Sequence, residues 1–258
     1  MSEPEIPSTG TKEIPSPGNT LIFFILATTC FLMFTVFSIN TVSDPVKMDE
    51  AKDNNVVNFV YILLVMTGSY FINIHTSKIM CDQSIEWNYV LVATVLPWLI
   101  IFILLYFMLK LFPGWVSPFS NTIGYTFVSM LGIEKILIDI LNDNKDGQEL
   151  APDLLKAINT INSNKSNFIN QISIENLRSY KDFIEKMKES LLIKTTVDID
   201  DKLFLQLYKL LTIKHVVGKV VWYILAGILI SSISYNYIIG MSCEKSIEQI
   251  KKEFADLK

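Results

Sequence analysis

Arginine is almost missing from this chain. Arg178 is the only one among 22 basic residues. No run of basic residues occurs, so phosphate-driven binding of nucleic acid has no electrostatic footing. Histidine and cysteine are scarce as well, at two and three residues. There is no C-x-x-C pair and no clustering at ligand spacing, which argues against a zinc site. A Gly-rich phosphate loop, H-E-x-x-H and G-x-S-x-G are all absent. His75 and His215 each flank an apolar run with no catalytic partner nearby. No enzyme and no cofactor are expected on these grounds. Charge is thin too. The chain is 50% hydrophobic, with mean hydropathy +0.38 and net charge -4. That is too apolar for an ordinary soluble domain and matches a multi-span membrane protein.

What the chain does have is uncharged runs of bilayer length. Residues 1–19 come first, with Pro4, Pro7, Pro15 and Pro17 among Ser, Thr and Glu, and are expected to be a disordered tail. This start is acidic, whereas a cleavable signal peptide wants a basic one, so Leu21–Ile39 is expected to be an uncleaved anchor. The first three spans are placed within 20–111, as Leu21–Ile39, Val56–Ile74 and Tyr89–Leu111. Nineteen residues at about 1.5 Å rise each match the hydrocarbon core. Asn58 and Asn73 are read as lying near span ends. Pro97 should kink the third span and free a carbonyl that neighbouring helices must satisfy. The fourth span lies in 216–241, read as Val217–Ile239, and 242–258 is a charged, helical tail. No span carries an acid, arginine or histidine in its interior, which lowers the odds of an ion-coupled carrier.

Between the third and fourth spans the chain changes character. Residues 112–132 hold Pro113, Gly114, Pro118 and Gly124, which should stop any helix running through. Trp115 and Tyr125 pair an apolar ring with a polar tip and suit the membrane–water boundary. The stretch is read as an elbow, with Trp115, Phe119 and Tyr125 fixing its angle to the bilayer. Ser120–Leu131 is too short to span and fits an interfacial or re-entrant helix.

Residues 133–215 form the one sizeable polar region, expected as a small helical domain outside the membrane. Ile136, Leu137, Ile140 and Leu141 follow helical spacing, as do Leu154, Leu155, Ile158 and Ile161. A stripe from Leu177 to Leu191 and another from Leu203 to Leu211 complete it, the latter capped by Asp198 or Asp200. Thirteen acids face twelve bases from Glu134 to Lys214, a near-neutral surface that suits protein–protein packing. Asn142, Asn144, Asp146, Gly147 and Asp153 resemble half a calcium loop, but an Asp-Gly turn between helices explains the same residues.

The second and fourth spans match without a gap at an offset of 162. Tyr61-Ile62-Leu63 corresponds to Tyr223-Ile224-Leu225, and Ser69 to Ser231. The run from Cys81 to Glu86 corresponds to that from Cys243 to Glu248, with four identities in six positions. A duplicated unit explains this, with a long insertion in the second copy. An even number of spans puts Cys81 and Cys243 on the same side, where they can pair if the compartment is oxidising. The lysines flanking the large loop favour a cytosolic side for it only weakly.

The elbow string from Phe112 to Tyr125, with Tyr235-Asn236-Tyr237 and Cys243-Glu244-Lys245-Ser246, resembles uncharacterised membrane proteins of large nucleocytoplasmic DNA viruses. That resemblance implies a protein of a virion inner membrane, or of a host membrane, tied to a capsid shell or core. The expected class is therefore all-α: four transmembrane helices with a small helical domain inserted before the last. The expected role is structural, with lipid and a protein as partners, no nucleic acid, and a homo-oligomer left open. A passive channel or transporter subunit is the alternative, lined by Thr28, Thr29, Thr67, Ser69, Ser231, Ser232 and Ser234. Close helix packing explains the same small residues.

Overall fold

The computed structural model describes residues 16, 18–81, 84–142, 151–172, 180–194, 202–241, 243 and 255. All regular structure among them is helical, apart from an isolated bridge between Leu141 and Ile193. Four helices are long and apolar enough to cross a membrane. These include α1 (Gly18–Thr41) and α3 (Asn55–Met80). Between them α2 (Pro45–Lys52) occupies what reads in the sequence as a polar link. Asp44 accepts a hydrogen bond from Val46 N at 2.9 Å and Pro45 presets the first turn, so the short helix starts cleanly. Asn54 does the same for α3, accepting from Val56 N and Val57 N.

Helix α4 (Trp87–Leu111) runs past Pro97 without a break. Proline has no N–H to give to the preceding turn, and the backbone widens into a π-helical stretch at Trp98–Phe102 before resuming. The chain stops only at Phe112, whose φ of -124° and ψ of 74° leave the helix. From there α5 (residues 113–130) is helical to its end, through 3-10, α and π turns. The expectation that two prolines and two glycines would bar a helix here is corrected. Pro113 sits in the first turn, where a missing N–H costs nothing, and Pro118 follows where the 3-10 turn passes into α-helix, with the nearby Trp115 carbonyl accepting from Trp222 Nε1. Gly132, with φ at 91°, turns the chain into α6 (Ile133–Ile140), a conformation that a side chain would strain. Then come α7 (Pro152–Ser163), α8 (Lys165–Gln171) and α9 (Tyr180–Glu189). The last helix, α10 (Lys202–Ile239), has 38 residues. It joins the amphipathic stretch before the fourth span to the span itself, about 57 Å in all. The acidic cap expected at 198–200, most of both tails and the Gly147 turn lie outside the described residues.

The contacts divide the chain into two units. The first comprises Met1–Ala27, Ile62–Leu105 and Leu225–Lys258. Its core is aromatic and polar. Phe24 packs on Trp98 and Trp98 on Phe102, at centroid distances of 5.7 and 5.4 Å. Gly68 and Gly227 leave their Cβ positions to the rings of Phe23 and Phe24. Asn73 is buried, not at a tolerant span end. Its Nδ2 donates to Thr94 Oγ1 at 2.8 Å, and its Oδ1 accepts from Thr20 Oγ1 at 3.4 Å. An amide with no water to turn to must find such partners on neighbouring helices. Cys81 and Cys243 are joined by a disulfide, with Cα atoms 5.4 Å apart. Cys30 is free.

The second unit comprises Thr28–Tyr61 and Tyr106–Ile224. Phe31 stacks on Tyr61 at 4.4 Å, and Tyr61 on Tyr223 at 6.1 Å. Thr28 and Tyr61 share a hydrogen bond of 2.8 Å, so the buried phenol is not left unsatisfied. Helix α6 turns Ile133, Leu137 and Ile140 inward, and α10 turns Phe204, Leu207 and Leu211 inward. Asn142 N donates to Leu192 O and Lys194 N to Ile140 O, both at 3.0 Å, which forms the bridge. The Asn142 side chain, first in the calcium-like string, donates to Leu191 O at 3.0 Å. On the outer faces of α1, α3, α4 and α10, large apolar side chains such as Phe37, at 66% exposed, point outward. A helix bundle made for water would not carry so many.

Candidate functional site at the elbow

The elbow α5 is seated on α10, and two glycines make the seat. At Gly124 the place of a Cβ is taken by the Lys214 carbonyl. At Gly218 a Cβ would lie 2.6 Å from Ser120 N. Two backbones approach this closely only where side chains are missing. Aromatic rings then close the elbow's start. Trp222 Nε1 donates to Trp115 O at 2.8 Å, which serves one carbonyl of the short 3-10 turn. Trp222 stacks on Trp115 at 6.3 Å and meets Phe119 edge-on at 5.1 Å. Trp115 keeps 46% of its surface exposed, so it is held through its backbone and one face.

The other expected elbow residues act locally. Pro113 opens the helix, and Pro118 offers its carbonyl to Thr122 Oγ1 at 2.6 Å. Gly114 has open space where a Cβ would stand, so nothing there requires glycine. Tyr125 donates to Glu134 Oε1 at 2.8 Å and ties α5 to α6. Burial, and after it the Glu134 carboxylate, pushes the Tyr125 phenol above its ordinary value.

Two lysines of α10 anchor other segments to the same place. Lys219 is 6% exposed, and its Nζ donates to Asp53 Oδ1 at 3.1 Å and to Lys52 O at 3.2 Å. Lys52, equally buried, lies 3.3 Å from Asp49 and 3.5 Å from Asp53. Two cations and two anions thus balance around the end of α2. Lys214 reaches the other way, to Asn121 Oδ1 at 2.8 Å and Ile169 O at 3.4 Å. Asn170 Nδ2 donates to Asn121 O at 3.3 Å, so elbow, α8 and α10 meet on one asparagine.

Chemically this is a clamp. Its hydrogen bonds fix a junction of four segments, and among the described residues none of its contacts pairs a nucleophile with a base. Sequence reasoning found the elbow but not its seat. Gly124 and Gly218 give a faint signal, as lone glycines in helical patterns. Lys219 is visible as a charge inside an apolar run, but its partner Asp53 is 166 residues away. No protein-family model, no curated protein and no solved structure matches this chain.

Proposed function

We propose that the chain is a multi-pass membrane scaffold. Its four apolar helices cross the bilayer, and the inserted helical region of residues 133–215 holds a protein partner. The observation that carries this reading is the unbroken helix α10. Its first half buries Phe204, Leu207 and Leu211 among the inserted helices, and its second half is an uncharged span. A continuous helix clamped at Gly218 links the inserted helices to an apolar span through one element, which suits a tether. Exposed Ile123 and Met130 on α5 suit contact with the lipid surface, which supports reading the elbow as interfacial. From the resemblance of the elbow and the chain's end to membrane proteins of large DNA viruses, we infer a virion inner membrane or a host membrane, with a capsid or core protein as partner.

The same proposal takes the chain as a duplication. In one unit Tyr61 stacks on Tyr223, and in the other Cys81 is bonded to Cys243. Each is a residue meeting its own counterpart at the offset of 162, which supports the duplication.

A passive channel is the second reading. It draws on the hydroxyls of Ser69, Ser77, Ser231 and Ser234, which are buried without a hydrogen-bond partner among the described residues. Crosslinking mass spectrometry on native membranes or particles separates the two. The scaffold reading expects links from Lys156 and Lys186, both exposed, to one abundant partner protein. Ion or solute flux from the reconstituted chain, with no such partner, would overturn it.

A further inference from the structure

Lys214 and Lys219 lie five residues apart on α10, and both are nearly sealed from solvent, at 3% and 6% exposed. Lys219 has its carboxylate, in Asp53. Among the described residues Lys214 has only neutral acceptors, the Asn121 amide oxygen and the Ile169 carbonyl. A buried ammonium without a counter-charge is costly. Beside it runs a cavity of about 80 Å³, lined among others by Lys214, Asn170, His215, Ser117 and Ser120. A second group there is unmatched. Asn170 Oδ1 is buried with no donor among the described residues. Its orientation is not arbitrary, because the amide nitrogen must face the Asn121 carbonyl, which can only accept.

We propose that this cavity binds a phosphate oxyanion that still carries a proton, either hydrogen phosphate or the phosphomonoester headgroup of a lipid. The two unmatched groups define the ligand. Lys214 calls for negative charge, and Asn170 Oδ1 calls for a donor. Water brings a donor without charge. Chloride, an ionised carboxylate and a phosphodiester bring charge without a donor. Bicarbonate and a phosphomonoester monoanion bring both, and of the two the phosphate has more oxygens to spare for the Ser117 and Ser120 hydroxyls. The site is independent of the scaffold reading, since it concerns what fills the elbow and not what the inserted helices hold.

The test uses the full chain in phosphatidylcholine nanodiscs. Inorganic phosphate and sulfate are titrated calorimetrically. In a second arm the discs contain phosphatidate in place of part of the phosphatidylcholine, and bound lipid is read by native mass spectrometry. Phosphate is expected to bind at least about tenfold tighter than sulfate, which holds no proton at neutral pH. Lys214→Met should weaken phosphate by about tenfold or more. Ser117→Leu should do likewise by filling the cavity mouth. Ser117 is exposed, so this variant keeps the result readable if Lys214→Met misfolds. Binding of both phosphate and phosphatidate assigns the site to the free ion as well as the lipid. Binding of phosphatidate alone assigns it to the headgroup. Absence of both from the wild-type chain, equal affinity for sulfate, or affinity unchanged in Ser117→Leu overturns the proposal.

Discussion

Gly218→Val is expected to lift the elbow off α10 and to destabilise the protein by about 1–3 kcal/mol, the usual range for forcing carbon into a filled site. A Cβ at 218 would stand 2.6 Å from Ser120 N. That neighbour is backbone and cannot rotate aside, so either α5 or α10 has to move. Trp222 sits one helical turn further on, and its bond to the Trp115 carbonyl should break with the shift. Two readouts should therefore change together: thermal unfolding in detergent, and the tryptophan emission of the elbow. Gly114→Ala is the control. Open space surrounds position 114, so its effect should stay within about 0.5 kcal/mol. Equal effects at 114 and 218 would mean that the seat described here does not hold the elbow.

Asp53→Ala is the second large expected effect. The carboxylate serves two buried ammonium groups, Lys219 at 3.1 Å and Lys52 at 3.5 Å. Removing one side of a buried pair leaves a charge with no compensation. Asp53 itself is 57% exposed, so water can take over part of its task. The loss should be about 2–3 kcal/mol, below the full cost for a wholly buried pair. Adding Lys219→Met to Asp53→Ala should restore part of it, because the stranded charge is then gone. A double-mutant cycle on denaturant unfolding in mixed micelles measures that coupling. Strict additivity of the two variants would remove the ion pair from the account.

The apolar helices are legible in the sequence because bilayer length and absence of charge are properties of a run, not of a partner. Their ends are less so. Helix α3 goes on to Met80 and α10 begins at Lys202, where polar residues continue a helix that lipid alone does not require. The elbow was visible through Pro113 and Trp115, but Pro118 misleads. Whether a proline breaks a helix depends on whether the freed carbonyls find other donors, and tertiary packing decides that, as Trp222 does for Trp115. The seat itself could not be read. Gly218 matters only because Ser120 comes to it, and Lys219 only because Asp53 does. Likewise Asn73 looks harmless near a span end until Thr20 and Thr94 are brought to it. Pairings across 21 to 166 residues carry no local signature.

The most direct measurement of the central claim is sided labelling in sealed membrane vesicles after reduction of the disulfide. Cys81 and Cys243 are read with a membrane-impermeant maleimide, and so is a cysteine introduced by Ser163→Cys on the exposed face of α7. Four crossings predict that Cys81 and Cys243 label from one face and position 163 from the other. Labelling of Cys81 and Cys243 from opposite faces, labelling of all three from one face, or recovery of the chain in solution without detergent would contradict it.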